Sequence, residues 1–273
     1  MWNGYTTDDG WRITVAATND EAYAALNQER VVNCFALADL LPPFRQYTRI
    51  SLARHEQTGQ QATLLIVEHP DVYVLATSGH AAGVAALLAH LGLPAFPLLQ
   101  ALPEHWPLLA SRYELPASPR DLLRMRLTAQ TFQRPARPID KPAAERLIAN
   151  DLPALLALYD LFPASHFRPA LLDEGVFYGV HEGAGLVAAG GTHIVALPYG
   201  LAVLGNIFTH PDRRGRGYAQ AITAALAEGL LAQGCQDVML NVEADNAPAV
   251  HVYTKLGFEP HCHIWSASAR RRA

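Results

Sequence analysis

Cysteine is scarce: Cys34, Cys235 and Cys262 are the three in 273 residues, far apart in the chain and odd in number. Such spacing argues against a disulfide framework and against a CxxC-type metal site. Long apolar runs are missing too, and none approaches the ~18 residues that a membrane span needs. The opening MWNGYTTDDGWRITV has no basic segment followed by an apolar one, so no export signal is expected and the chain reads as cytoplasmic. Neither charge sign dominates. With 25 acidic against 21 basic side chains and a net charge of −4, the protein does not read as a dedicated nucleic-acid coat. What remains, 50% hydrophobic and 17% charged, is the composition of a globular protein. One large domain or two small ones would each bury a sizeable core.

Residues 132–145, FQRPARPIDKPAAE, hold three prolines and five charged residues without apolar periodicity. Proline restricts itself and the residue before it, so this stretch is expected to be an extended linker. It would separate an N-terminal domain, 1–131, from a C-terminal one, 146–273. In the C-terminal half Asp151 is expected to cap a helix with Pro153 in its first turn. Strand-like runs follow at 175–180, 185–197 and 201–210, parted by the short turns HEGAG and PYG. Helical spacing then takes over (Ala219, Ile222, Leu226, Leu230) and ends near Gly234. A strand at 237–242, a helix from Asn246 to Leu256 with Gly257 as its C-cap, and a last strand FEPHCHIW complete a mixed α/β layer. The N-terminal half repeats that order more faintly: meander-like runs at 46–55, 61–68 and 72–77, a helix at 81–91, an apolar run at 93–99, a helix at 103–113 and a strand at 122–127. It reads as a decayed duplicate or as a coincidence of two α/β domains.

The most informative segment is Thr209-His-Pro-Asp-Arg-Arg-Gly-Arg-Gly-Tyr-Ala219. A strand passes directly into a helix through a loop with two glycines and three arginines. Glycine permits positive φ and a close approach of backbone to ligand. The first amides of the helix, at Gly217–Ala219, lack internal partners and lie at the positive end of the macrodipole. With the arginines they form a cradle suited to phosphate. A dinucleotide fingerprint GxGxxG is matched at Gly215 and Gly217 but fails at Gln220, and no parallel βαβ run begins nearby.

Arg214-Gly-Arg-Gly-Tyr-Ala219 resembles the R/Q-x-x-G-x-G/A signature of the GNAT superfamily of acyl-CoA N-acyltransferases, and the resemblance extends over about residues 146–265. IFTHP before RGRGYA is similar to that superfamily's central strand and pyrophosphate loop. LNVEADNAPAVHVYTKLGF (240–258) is similar to its second conserved block. The two-half layout resembles tandem members such as the glycine N-acyltransferase-like group. The resemblance implies an acyl-CoA N-acyltransferase fold, with acetyl-CoA as co-substrate, no metal and an amine acceptor. It implies that the diphosphate rests on Arg214, Gly215, Arg216, Gly217, Tyr218 and Ala219, and that the pantetheine arm follows the backbone of Ile207, Phe208 and Thr209. A strand edge can pair with an amide-bearing arm as with another strand.

Tyr253 is the candidate acid; it lies seven residues, two turns, from Asn246, so both share one helix face. The family pattern puts this phenol near the leaving sulfur. A phenol titrating at about 10 and a thiol near 8.5 make a neutral tyrosine able to protonate the departing thiolate. Asn246 is expected to cap its helix and to touch the cofactor. LAVLGNIF offers no carboxylate, which leaves Glu243 and His193 as candidate bases, while His210 reads as a turn residue. No cysteine lies in either block, so direct attack in a ternary complex is expected rather than an acyl-enzyme. A CoA-binding module without catalysis is the alternative. In the N-terminal half TSGHAAGVAALL (77–88) keeps Gly79 and Gly83 but has no arginine, so a structural or acceptor-shaping role is expected there. The ARRRA tail reads as solvated, with neither nucleic acid nor membrane as partner; the oligomeric state is open, a homodimer included.

Overall fold

The computed structural model describes residues 4–70, 72–135, 143–162, 165, 167–183 and 185–272. Its contacts form two compact units, Met1–Arg124 with Cys262–Ala273 and Met125–His261. The division thus falls ahead of the expected linker, of which 136–142 lie outside the described residues.

The first unit opens with β1 (Tyr5–Thr6), β2 (Trp11–Val15), α1 (Asn19–Leu26) and α2 (Cys34–Ala38). The meander β3 (Thr48–His55), β4 (Gln61–His69) and β5 (Val72–Gly79) follows, then α3 (Ala81–His90), β6 (Leu98–Ala101), α4 (Trp106–Ala110), β7 (Tyr113–Glu114) and β8 (Arg120–Leu127), within which the division at Arg124 falls. β1 to β5 pair antiparallel in chain order, and β6 joins β5 in parallel. The core gathers Trp11, Ile13, Leu64, Ile66, Leu75, Leu87, Leu99 and Tyr113. β6 starts later than the apolar pattern at 93–99 suggested, because Pro94 and Pro97 cannot donate to a ladder. The helix expected over 103–113 is shorter: a 3₁₀ turn, Pro103–His105, leads into α4, which stops at Ala110.

The second unit carries β9 (Glu145–Arg146), α5 (Leu152–Tyr159), α6 (Ala170–Glu174), the meander β10 (Phe177–Glu182), β11 (Gly185–Ala196) and β12 (Leu201–Thr209), then α7 (Tyr218–Ala232), β13 (Asp237–Glu243) and α8 (Ala247–Lys255). β9 to β12 are neighbours in an antiparallel run, and β13 pairs with β12 in parallel. α7 forms where the spacing placed it, with Ile222, Leu226 and Leu230 buried along one face. Asp151 acts a turn earlier than expected: its Oδ2 accepts from the Ile148 amide at 2.8 Å, closing a 3₁₀ turn ahead of α5 instead of capping α5 itself.

Both units therefore repeat one order: an antiparallel meander, a helix, a parallel strand and a second helix. The chain ends in β14 (Glu259–Ser268) and β15 (Arg270–Arg271). Trp265–Ser268 of β14 pair with β6, and β15 pairs with β7, which is why these last residues belong to the first unit. The basic tail is exposed, as expected, but it is also tethered. Arg270 meets Glu114 at 2.6 Å, Arg271 donates to the Leu93 carbonyl, and Arg272 donates to the Ala110 and Tyr113 carbonyls.

Candidate active site

The strands β12 and β13 run together from Leu201↔Asp237 to Leu204↔Leu240, and their pairing stops there although both continue. On its other side β12 carries a bulge: Ala189 faces Phe208 and Gly191 faces Gly205, so Asn206 and Ile207 together oppose one residue of β11. Asn206 sits at φ 54, in left-handed space. The Tyr159 hydroxyl fixes the bulge by donating to the Asn206 carbonyl at 2.7 Å, and Phe162 stacks on Phe208 at 4.9 Å. Burial pushes the Tyr159 phenol well above its ordinary value, so it remains a donor. The segment Ile207–Thr209 therefore has one side turned to the bulge and the other beyond the reach of the β12–β13 ladder.

β12 leads through His210 and a 3₁₀ turn, Pro211–Arg213, to the loop before α7. The His210 Nδ1 accepts from the Asp212 amide at 3.3 Å, a turn role. Gly215 and Gly217 stand at φ 77 and 81, and open space surrounds the position a Gly215 side chain would take. Gly217 serves as the N-cap of α7, so no side chain covers the first amides of the helix. This is the local geometry in which an anion can be bound.

The three arginines are not equivalent. Glu182, at the end of β10, accepts from Arg213 Nε at 2.8 Å and from Arg216 Nη1 at 3.1 Å, and the Tyr218 hydroxyl donates to the same carboxylate. Arg214 is exposed, meets no carboxylate among the described residues, and has its Nε 3.5 Å from the Thr209 carbonyl. Two guanidinium groups thus brace the loop from behind while Arg214 remains available. The hydrogen bond from Tyr218, with the Arg213 and Arg216 guanidinium groups, holds the Glu182 carboxyl below its ordinary value against the opposing effect of desolvation. Glu182 was not legible as a site residue, since it lies 31 to 36 residues from its partners.

Asn246 caps α8, its Oδ1 accepting from the Ala249 amide at 3.3 Å. Tyr253 is buried in α8, edge-on to Phe258 at 6.0 Å, and burial pushes its phenol up to about 12. Glu243 ends β13, beyond the last rung shared with β12. His193 lies on β11 with its ring against the central strand: a side chain at Gly205 would meet its Nε2 at 1.9 Å. Glycine at 205 is therefore required for the imidazole to stand where it does. Among the described residues no cluster of ligands could hold a metal ion, and no helix is long and apolar enough to cross a membrane.

Residues 178–266 match the family model of the FR47-like proteins. A 48-residue stretch is 56% identical to mycothiol acetyltransferase of Corynebacterium jeikeium, and 49 residues are 51% identical to that of Saccharomonospora viridis. Each match covers 18% of this chain but 14% and 16% of those proteins. Among solved structures, a GCN5-related N-acetyltransferase from Sphaerobacter thermophilus superposes with TM-score 0.60 at 15% identity, covering 98% of this chain and 97% of that one. A tandem GNAT protein from the clavulanic acid biosynthesis pathway gives TM-score 0.54 at 18% identity, over 94% and 98%. Over residues 178–266 the second unit is similar to the FR47-like family, and its fold is that of the GNAT proteins. The chain as a whole has the acyl-CoA N-acyltransferase fold in tandem form.

Two outcomes follow. Gly205→Ala should destabilise the second unit by about 1–3 kcal/mol through overpacking, and His193→Ala introduced beside it should restore most of the loss in urea unfolding. Glu182 has a lowered folded-state pKa, so its contribution to stability is present above the ordinary value of 4.5 and fades as pH falls through the folded value. Unfolding midpoints of wild type and Glu182→Gln should accordingly differ at pH 7 and converge below pH 4.5.

Proposed function

We propose that the protein transfers an acetyl group from acetyl-CoA to a primary amine of a small molecule or amino acid, by direct attack within a ternary complex in the cytoplasm. The observation that carries this reading is the open amino end of α7, bordered by Arg214 and reached by a strand that has parted from its parallel neighbour. Arg214 and the amides of Gly215, Arg216, Gly217, Tyr218 and Ala219 hold the diphosphate. Arg216 and Tyr218 act chiefly through Glu182, keeping those amides in place. The pantetheine arm pairs with the edge of Ile207, Phe208 and Thr209, and Asn246 borders the arm from α8. A backbone N–H at this edge accepts the developing oxyanion.

The chemistry is a proton-balanced substitution. Once the ammonium has given its first proton to a base, the amine nitrogen bonds to the thioester carbonyl carbon, the carbon–sulfur bond breaks, the nitrogen loses a second proton and the sulfur gains one. An alkylamine with pKa near 10.4 pays roughly 4.6 kcal/mol to be neutral at pH 7, so a base must share that cost. His193, standing against Gly205 beside the bulge, takes this proton, and Glu243 at the diverging end of β13 attracts the ammonium form. Tyr253 supplies the proton to sulfur; its raised pKa keeps the phenol protonated through the alkaline range.

The N-terminal unit has a structural role in this scheme. Its connection corresponding to the pyrophosphate loop is Gly79-His80, where His80 Nδ1 accepts from the Ala82 amide at 3.2 Å and so caps α3. Trp11 stacks on His80 at 5.6 Å and presses on Gly83 in the first turn of α3. His105 sits between β5 and α4, its Nε2–H donating to the Gly79 carbonyl and its Nδ1 accepting from the Thr77 hydroxyl, each at 3.0 Å. A first-turn helix amide and the strand-end carbonyl are both already bonded, and the connection carries no arginine, so it is not built to hold a second diphosphate.

Turnover of acetyl-CoA with a panel of amines is the test. Arg214→Ala should raise KM for acetyl-CoA about 10- to 100-fold through loss of a charge-assisted contact. Tyr253→Phe should lower kcat by about 10²-fold or more with KM little changed, and the wild-type rate should show no loss of activity with an apparent pKa near 10. Transfer to none of the amines, with acetyl-CoA still bound, would mark a binding module instead.

A further inference from the structure

The first unit holds a cavity of about 330 Å³ at the end of β5, lined by Glu29, Asn33, Gln61, Thr63, Ser78 and His80 among others. It occupies the position that the end of β12 holds in the other unit: beside the last residues of the strand that precedes the crossover helix. Its chemistry is the reverse of the pyrophosphate loop. No lysine or arginine lines it, and its one carboxylate belongs to Glu29. That carboxylate is incompletely satisfied: Oε2 is buried and has no hydrogen-bond partner among the described residues. A buried carboxylate oxygen left without a donor is costly, and a bound cation with N–H groups removes the cost.

The rest of the lining is mostly hydroxyl and carboxamide, with Ala25, Ala62 and the His80 imidazole, whose Nδ1 accepts from the Ala82 amide. The Thr63 and Ser78 hydroxyls bond each other at 2.6 Å, and Asn33 uses its Nδ2 on the Leu26 carbonyl at 3.0 Å, which leaves its Oδ1 to accept. Gln61 adds a second carboxamide. One negative group with amide and hydroxyl neighbours suits a compact ligand bearing an ammonium at one end and hydroxyls elsewhere, and disfavours phosphates.

We propose that this cavity is a binding site for a small hydroxylated primary amine, with Glu29 as the ammonium receptor, so that the first unit recognises a ligand of a different class from acyl-CoA. The site stands apart from the transferase reading, and either can fail alone.

The probe is 4-amino-1-butanol, compared with butane-1,4-diol and 4-hydroxybutyrate as neutral and anionic counterparts of the same length, titrated into the full chain and followed by amide chemical shifts. The aminoalcohol should shift the amides of Thr63, Ser78 and Gly79, the diol should bind about tenfold more weakly, and the hydroxy acid should not bind. Glu29→Gln should abolish the preference for the cation. Gln61→Glu, which adds a second carboxylate on the wall, should strengthen aminoalcohol binding. Shifts confined to the second unit, equal binding of all three probes, or indifference to both substitutions would overturn the proposal. Melting curves of the two variants verify that each is folded.

Discussion

The arrangement depends on the junction where β12 becomes α7. A parallel strand pair that stays closed has no edge to offer, and a helix whose first turn is capped by its own side chain has no amides to offer. Here the pair opens after Leu204 and Leu240, and the helix begins at a glycine. Both conditions are set by backbone, and both need support. The Tyr159 hydroxyl and the stacked Phe162–Phe208 pair secure the bulge that turns β12 away, and Glu182 secures the loop. A cluster of arginines would otherwise repel itself and spread; a carboxylate placed behind two of them converts that repulsion into a fixed loop.

The comparison between the two units shows how little is needed to remove such a site without changing the fold. The strand order and the crossover are retained in the first unit. His80 caps the helix, Trp11 covers its first turn, and His105 takes the carbonyl and hydroxyl at the strand end. Burial lowers the pKa of His105, so the imidazole stays neutral and bridges the two groups as a donor and an acceptor at once. The helix amides and strand-end groups left open in one unit are met by imidazole and indole rings in the other.

What was legible in the sequence is what depends on neighbours along the chain. The loop glycines and arginines, the amphipathic face of α7, and the Asn246 cap and Gly257 stop of α8 are all determined within a few residues of themselves. What was not legible depends on residues brought together across the sheet. The Glu182 contacts, the Tyr159 bond to Asn206 across 47 positions, and the packing of His193 on Gly205 leave no periodic signal. The tethering of the tail was hidden for the same reason: its three arginines are exposed, as their sequence suggests, yet β7 and the carbonyls of Leu93 and Ala110 receive them.

The central claim is that the amides opening α7, with Arg214, grip a diphosphate while Glu182 keeps the other two arginines as a brace. A crystal structure with coenzyme A bound is the most direct measurement. The account predicts diphosphate oxygens within hydrogen-bond distance of the amides between Gly215 and Ala219 and of the Arg214 guanidinium, with the contacts from Glu182 to Arg213 and Arg216 preserved. Coenzyme A seated away from this helix end, or seated there only after Glu182 has released both arginines, would contradict it.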